Sequence, residues 1–340
     1  MRYRPLGRTA WEVSEVGLGT YPLGGALETS GSYWSGPSTY GAVTPDEAVA
    51  TIHAGLEGGV TFIDTAPNYG HAEESIGRAL RDRPDSLRAR RCYVATKCGE
   101  HVRPAPGGTR ERQGPPELAR DFSRAALRES LATSRRRLGV ERLDLVFLHS
   151  PRPDELAQDP LGLLVELRDR GEIEHVGESA GPVERALQLV ERDGRAEVVE
   201  IGFNLLQPAA APRLLPLAAD RGVGIVIRSP LASGYLTGTI AEDHVFAPDD
   251  HRSTTPREQI VRQVQRARAF HWLVAEGIAR SLSEAALRYI LSFPAVSAVI
   301  PGAMRREELL ANLEAAAAGP LPAPALARIE AVQRDLGLRR

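Results

Sequence analysis

Four residues carry the clearest chemical potential in this chain: Asp64, Tyr69, Lys97 and His149. Lys97 is the only lysine among the 42 lysine and arginine residues of a 340-residue sequence. Arginine replaces lysine at most surface positions, but not where a compact ammonium with an adjustable pKa is required. Lys97 ends the apolar run Tyr93-Val94-Ala95-Thr96, Asp64 ends Val60-Thr61-Phe62-Ile63 with Tyr69 five residues on, and His149 ends Leu145-Val146-Phe147-Leu148. Such a group suits proton transfer to a carbonyl oxygen. A free tyrosine, with a pKa of about 10, is a poor acid–base group near neutrality, and an adjacent ammonium favours its phenolate. A buried Asp64 would keep Lys97 charged and placed, and His149 can donate to a substrate oxygen and orient it. Taken singly, a strand-end Asp reads as a helix cap, a loop Tyr as packing and a lone His as structural. Their joint position at the ends of neighbouring strands carries the reading.

The elements that must position these residues alternate. The pattern predicts a hairpin over 2–14 and strands at 16–20, 60–64, 92–97, 143–148, 173–178, 198–202, 223–228 and 296–300. It predicts helices at 72–82, 117–138, 160–171, 182–193, 209–221, 257–276, 281–292, 305–317 and 323–336, plus one opening at Thr44-Pro45-Asp46-Glu47. There Thr44 is the N-cap, Pro45 the first helical residue and Glu47 the capping-box partner. Long loops follow strands 1, 3 and 7, running to about 44, from 99 to about 116, and over 232–256. Eight continuously apolar strands, each followed by helix, predict a closed parallel (β/α)8 TIM barrel with residues 1–340 as one domain. In such a barrel the C-terminal strand ends face the active site. An open doubly wound sheet is the alternative, but its Gly-rich fingerprint after the first strand is missing.

Phe62-Ile63-Asp64-Thr65-Ala66-Pro67-Asn68-Tyr69-Gly70, Ala95-Thr96-Lys97 and Leu148-His149 resemble three signature stretches of the aldo-keto reductases, and the likeness extends from the hairpin through Ile300-Pro301-Gly302-Ala303. The resemblance implies Tyr69 as general acid assisted by Asp64 and Lys97, with His149 positioning the carbonyl. It also implies hydride from a bound nicotinamide cofactor, without metal. It assigns Gly19 and Thr20 at the first strand to the cofactor, together with Asp64, Ser179, Glu200 and Arg228. Ser229, Leu231, Ser233 and Gly234 correspond to the loop on the pyrophosphate, and Gly302, Arg305, Glu308 and Asn312 to the adenosine end. The same likeness draws a substrate pocket from Tyr21, Tyr33, Trp34, His101, Arg103 and Tyr235, suited to a polar, sugar-like or anionic carbonyl compound. Several positions depart from the family pattern. Ala180 stands for an Asn and Glu200 for a Gln that hold the carboxamide, and Arg228 stands where many members place an aromatic ring. Thr239 replaces a common lysine, Met304 stands for a basic residue at the 2′-phosphate, and Glu308 for Gln or Arg. Arg228 and Glu200 end adjacent strands and can pair beneath the nicotinamide, or Arg228 can meet a substrate anion. NADP(H) is the favoured cofactor because it is the commoner choice in the family that the chain resembles, and Arg305 and Arg306 can replace the charge lost at Met304. Glu308 would suit ribose hydroxyls and NAD(H).

Composition bounds the rest. The apolar fraction of 42% supports a large core, and a net charge of −2 argues against a nucleic-acid partner. Cys92 and Cys98 offer neither a disulfide framework nor metal-type spacing. No apolar run reaches the length of a membrane span and no signal-peptide core follows Met1, so a cytoplasmic setting is expected. No interface stripe is legible, which leaves the oligomeric state open. The expectation is an oxidoreductase reducing an aldehyde or ketone, or oxidising the corresponding alcohol or sugar. Its rivals are a cofactor-binding redox sensor and a redox-neutral lyase or isomerase using Lys97 as a Schiff base.

Overall fold

Runs of Val, Ile, Leu and Phe can bury both faces only in a parallel sheet covered by helices. The computed structural model describes residues 1–30, 35–87, 90–103 and 115–339. Its principal sheet has eight strands, β1 (Leu18–Gly19), β2 (Phe62–Asp64), β3 (Tyr93–Cys98), β4 (Leu143–His149), β5 (Ile173–Ser179), β6 (Val198–Gly202), β7 (Gly224–Arg228) and β8 (Ala298–Val299), paired in chain order. Its two ends meet. Gly17 N–H donates to Val299 O at 2.8 Å and Val299 N–H to Glu15 O at 2.9 Å, and parallel bridges join Val16 to Val299 and Gly19 to Gly302. The sheet thus closes as the expected (β/α)8 barrel.

Side chains alternate across a strand, so every second residue of each strand points into the barrel. Phe62, Ala95, Leu145, Phe147, Val198, Val226 and Ala298 fill the interior together with Leu6, Trp11 and Val13. The last three come from the N-terminal hairpin, where Tyr3–Pro5 pairs with Glu12–Ser14 and stoppers the barrel. A side chain at Gly177 would collide with the Phe147 ring and the Val198 carbonyl, so glycine is required there. Two residues further along the strands the lining turns polar: Phe62 gives way to Asp64, Ala95 to Lys97, Phe147 to His149, Gly177 to Ser179, Val198 to Glu200 and Val226 to Arg228. A charged layer therefore rests on an apolar one. Around the outside, a second and larger core joins the strands to the helices through residues such as Ile52, Ile76, Leu131, Leu164, Leu287 and Leu309.

The helix Pro45–Glu57 begins as expected, with the full Thr44–Glu47 capping box. Elsewhere the expected elements are trimmed. The predicted helix over 117–138 is the largest correction. Glu117–Arg120 is a strand, antiparallel to Glu100–Arg103 in the loop after β3. The helix starts only at Arg124, where the Ser123 hydroxyl accepts the Ala126 N–H. The predicted helix over 209–221 shrinks to Leu214–Asp220, since Pro208 and Pro212 cannot donate to earlier turns. No helix among the described residues is long and apolar enough to cross a membrane.

Candidate active site

Strand alternation delivers three of the four chemical residues to one layer, and a loop brings the fourth. Lys97 Nζ donates to Asp64 Oδ1 at 2.5 Å and to the Thr65 carbonyl at 3.1 Å, and lies 3.4 Å from Glu200 Oε2. All three side chains are buried. Tyr69 is carried by the tight turn after β2, closed by Tyr69 N–H to Ala66 O and followed by Gly70 at φ 51°. Its ring centroid lies 5.1 Å from Lys97 Nζ, and the His149 ring stands edge-on to it at 6.1 Å. The structure thus assembles Asp64, Tyr69, Lys97 and His149 at one point.

The charges define their states. Burial works against the Lys97 ammonium, but Asp64 and Glu200 outweigh it and raise its pKa. Asp64 is pushed well above the usual carboxylate range, first by burial and then by the Glu200 carboxylate. Glu200, despite its burial, is drawn down by Lys97 and Arg228. Burial also dominates at Tyr69, raising its pKa although Lys97 pulls the other way, so the phenol keeps its proton. His149 falls well below the ordinary histidine value through burial, then Lys97, Arg228 and Arg120, leaving a neutral ring.

Beyond these residues a cavity of about 930 Å³ runs along the strand ends. Of the residues expected at the cofactor, Gly19, Asp64, Ser179, Glu200, Arg228, Ser229, Leu231, Ser233, Gly234, Gly302, Glu308 and Asn312 line it. Ser179 Oγ donates to Glu200 Oε1 at 2.7 Å, while Arg228 Nε lies 3.7 Å from the same oxygen and Arg228 Nη2 donates to Ala180 O at 3.1 Å. Three non-glycine residues in the loop after β7, Ser229, Ala232 and Ser233, hold left-handed backbone at φ 54°, 49° and 54°. Such conformations cost about 1–3 kcal/mol each and persist where the surroundings impose them, often around bound anions.

Other expected positions lie elsewhere. Thr20 is buried beneath the cavity, its hydroxyl donating to Asp64 O at 2.8 Å. Tyr235 packs with Phe246, Ile260 and Val264 instead of opening to substrate, because the segment after β7 folds back over it. His101 pairs across from Ala119, on the opposite face of its strand from Glu100, and does not line the cavity. Arg305 is absent from the lining, and Arg306 reaches Glu57 at 3.4 Å. Tyr21 does line the cavity and meets the Tyr69 ring at 5.1 Å. Tyr33 and Trp34 lie outside the described residues.

The structure also adds residues that the sequence analysis passed over. A clasp joins the loops after β1 and β7 across the cavity: His251 N–H donates to Thr39 O at 2.8 Å, and Arg252 lies over the Tyr40 ring at 4.6 Å. The same Arg252 pairs with Asp250 at 2.5 Å and donates to Ser233 O at 2.8 Å. Opposite, the strand register sets Glu100 directly across from Arg120, and the two form a buried ion pair. Arg120 is tied further to Glu155 at 2.7 Å, Asn68 Nδ2 donates to Glu100 Oε2 at 3.2 Å, and His149 Nδ1 lies 3.5 Å from that oxygen. Glu117-Leu118-Ala119-Arg120 sets two apolar residues between two charged ones, a pattern that does not mark a strand.

Comparison with known proteins agrees with this geometry. Residues 16–334 match the model of the aldo/keto reductase family. The chain is 28% identical over 324 residues to the NADH-specific methylglyoxal reductase of Escherichia coli (strain K12), covering 93% of each protein. It is 27% identical to the L-galactose dehydrogenase of Arabidopsis thaliana, over 92% of this chain and 87% of that one. Among solved structures it superposes on a glycerol dehydrogenase from Gluconobacter oxydans with a TM-score of 0.77 at 26% identity, covering 99% of this chain and 97% of the other. Barrel, charged layer and family model converge, and the chain belongs to the aldo/keto reductase family.

Proposed function

We propose that this protein interconverts a small carbonyl compound and its alcohol using a nicotinamide dinucleotide, with Tyr69 as the proton donor and acceptor. The observation that carries this reading is the buried Lys97–Asp64 pair beside the Tyr69 ring, with His149 at the end of the adjacent strand. The cavity supports the cofactor. Its lining runs from the reacting residues to Asn312, the loop after β7 has the left-handed turns of an anion cradle, and Glu200 Oε2 is a buried acceptor without a hydrogen bond among the described residues. When bound, the reduced cofactor supplies a hydride to the carbonyl carbon. Tyr69 then delivers its phenolic proton to the oxygen, and its protonated resting state suits the reducing direction. Lys97 and Asp64 hold that phenol in an electrostatically fixed frame. The raised pKa of Lys97 and its carboxylate partners argue against an imine-forming amine.

The adenosine end supports NAD(H) over the NADP(H) favoured from sequence. Glu308 accepts the Met304 N–H at 2.8 Å, which sets a carboxylate at the mouth of the helix Arg306–Ala317. A 2′-phosphate there would meet a like charge, while ribose hydroxyls would meet an acceptor. Equilibrium binding of NADH, NAD, NADPH and NADP to the purified chain, followed by fluorescence, tests both levels. Tighter binding of the NAD pair is expected. Preference for the NADP pair would overturn the role of Glu308, and failure of all four would overturn the function.

A further inference from the structure

The floor of the cavity holds more negative charge than the proton transfer requires. Lys97 is already matched by Asp64, to which it donates at 2.5 Å, and Glu200 Oε2 stands 3.4 Å from the same ammonium. Glu200 Oε1 accepts the neutral Ser179 hydroxyl, while Arg228 Nε stops 3.7 Å from that oxygen, outside hydrogen-bond reach. Arg228 Nη2 turns to the Ala180 carbonyl instead. Glu200 Oε2 and Arg228 Nε are thus both buried without a hydrogen bond among the described residues, on adjacent strands, and both side chains line the cavity. Burial opposes the Glu200 charge, but Lys97 and Arg228 hold its pKa below the usual carboxylate range, so it stays ionised.

A buried charge acts on its surroundings with little screening, whereas one open to solvent is screened. The Glu200 side chain is 1% exposed and that of Arg228 33%, so within the cavity the carboxylate outweighs the guanidinium. Loss of a hydride turns the neutral dihydronicotinamide ring into a cation, and the transfer requires that ring in contact with a carbonyl held at Tyr69. Lys97 Nζ lies 3.4 Å from Glu200 and 5.1 Å from the Tyr69 ring centroid, which sets the carboxylate beside the point where that cation forms.

We propose that Glu200 sets the redox preference of the cofactor site, stabilising the cationic oxidised nicotinamide over the neutral reduced one against an opposing Arg228. This rests on the proposed nicotinamide-dependent function. Tighter holding of the oxidised form draws the bound equilibrium toward carbonyl reduction. Asp64 does not serve the same end, because Lys97 is bonded to it. Glutamine at 200, the residue usual at this place in the family, keeps the shape and an acceptor for Ser179 but removes the charge.

The test is the ratio of the Kd for NAD to the Kd for NADH in the purified full chain, read from NADH fluorescence and its displacement by NAD. The NADP pair replaces the NAD pair if it binds more tightly. The ratio is expected to rise about tenfold or more in Glu200→Gln. In Arg228→Gln, which removes a partly screened charge, it should fall about threefold. The double variant should lie between the two. Damage to the pocket would weaken both forms alike and leave the ratio unmoved, so the ratio separates charge from structure. An unchanged or lower ratio in Glu200→Gln would overturn the proposal. If that variant does not fold, Arg228→Gln decides: a fall supports the opposed charges, and an unchanged or higher ratio refutes them. Failure of the wild type to bind either pair would end the functional reading and this one with it. Cofactor binding with ratios that do not move would leave that reading intact and overturn the role of Glu200 alone.

Discussion

The floor and the rim of the cavity are built by different rules. The floor is a layer of buried charge set by strand alternation: Asp64, Lys97 and Glu200 sit two residues beyond apolar side chains on their own strands, and each is pinned by the others. The rim is made by loops, as when His251 bonds Thr39 from a distant part of the chain and Arg120 closes on Glu100 within the loop after β3. A floor of mutually neutralising charges cannot lose a member without leaving another uncompensated. A rim of clasps can loosen locally and keep the barrel beneath it intact. Floor changes should therefore strike turnover and stability together, and rim changes should strike binding or selectivity alone.

The largest effect is expected from Lys97→Met. It removes the cation that neutralises the buried Asp64–Glu200 pair, so stability should fall by about 3–5 kcal/mol in urea denaturation. Turnover should fall by about 10³-fold. A fully active Lys97→Met would end the distinction between the two regions. Trp11→Ala opens the hairpin stopper under the apolar layer and should cost about 3–5 kcal/mol. The apolar layer separates it from the chemistry, so kcat should stay close to wild type, and a parallel loss of kcat would mean that the layers are coupled. At the rim, Arg252→Ala removes the contacts to Asp250, Tyr40 and Ser233. Stopped-flow should then show cofactor dissociation about tenfold faster, with the denaturation midpoint little changed.

The smallest effect is a pH slope. The unfolded chain protonates its histidines near pH 6.5, whereas folded His149, and less strongly His251, do so only at lower pH. Between those values the unfolded state binds more protons, so stability is retained above about pH 6.5 and falls as pH drops below it, by at most about 1.4 kcal/mol per unit for each histidine. His149→Gln should flatten this acid limb. An unchanged limb would assign it to other groups.

The same division explains what could be read from the sequence. Asp64, Lys97 and His149 were legible because parallel strands deliver their last residues to one mouth, and a lone lysine in an arginine-rich chain marks its own position. The capping box at Thr44 was legible because it is local. Glu100 was not. Its place depends on a four-residue strand, Glu117–Arg120, that pairs with Glu100–Arg103 inside one loop, and so short a segment running into a helix reads as helix. Tyr235 was assigned to substrate as an aromatic in a pocket loop, whereas the fold of the segment after β7 buries it. Glu308 was visible as a departure, but its bond to the Met304 amide, which bears on the cofactor, is tertiary detail.

The central claim is that the charged floor acts through Tyr69, the loop residue set against Lys97. Its most direct test is the single-turnover oxidation of bound NADH by lactaldehyde, followed by nicotinamide absorbance in wild type and Tyr69→Phe, beside the Kd of each protein for NADH. The account predicts a rate about 10²–10⁴-fold lower in the variant, with NADH affinity unchanged. Hydride transfer at the wild-type rate in Tyr69→Phe would contradict it.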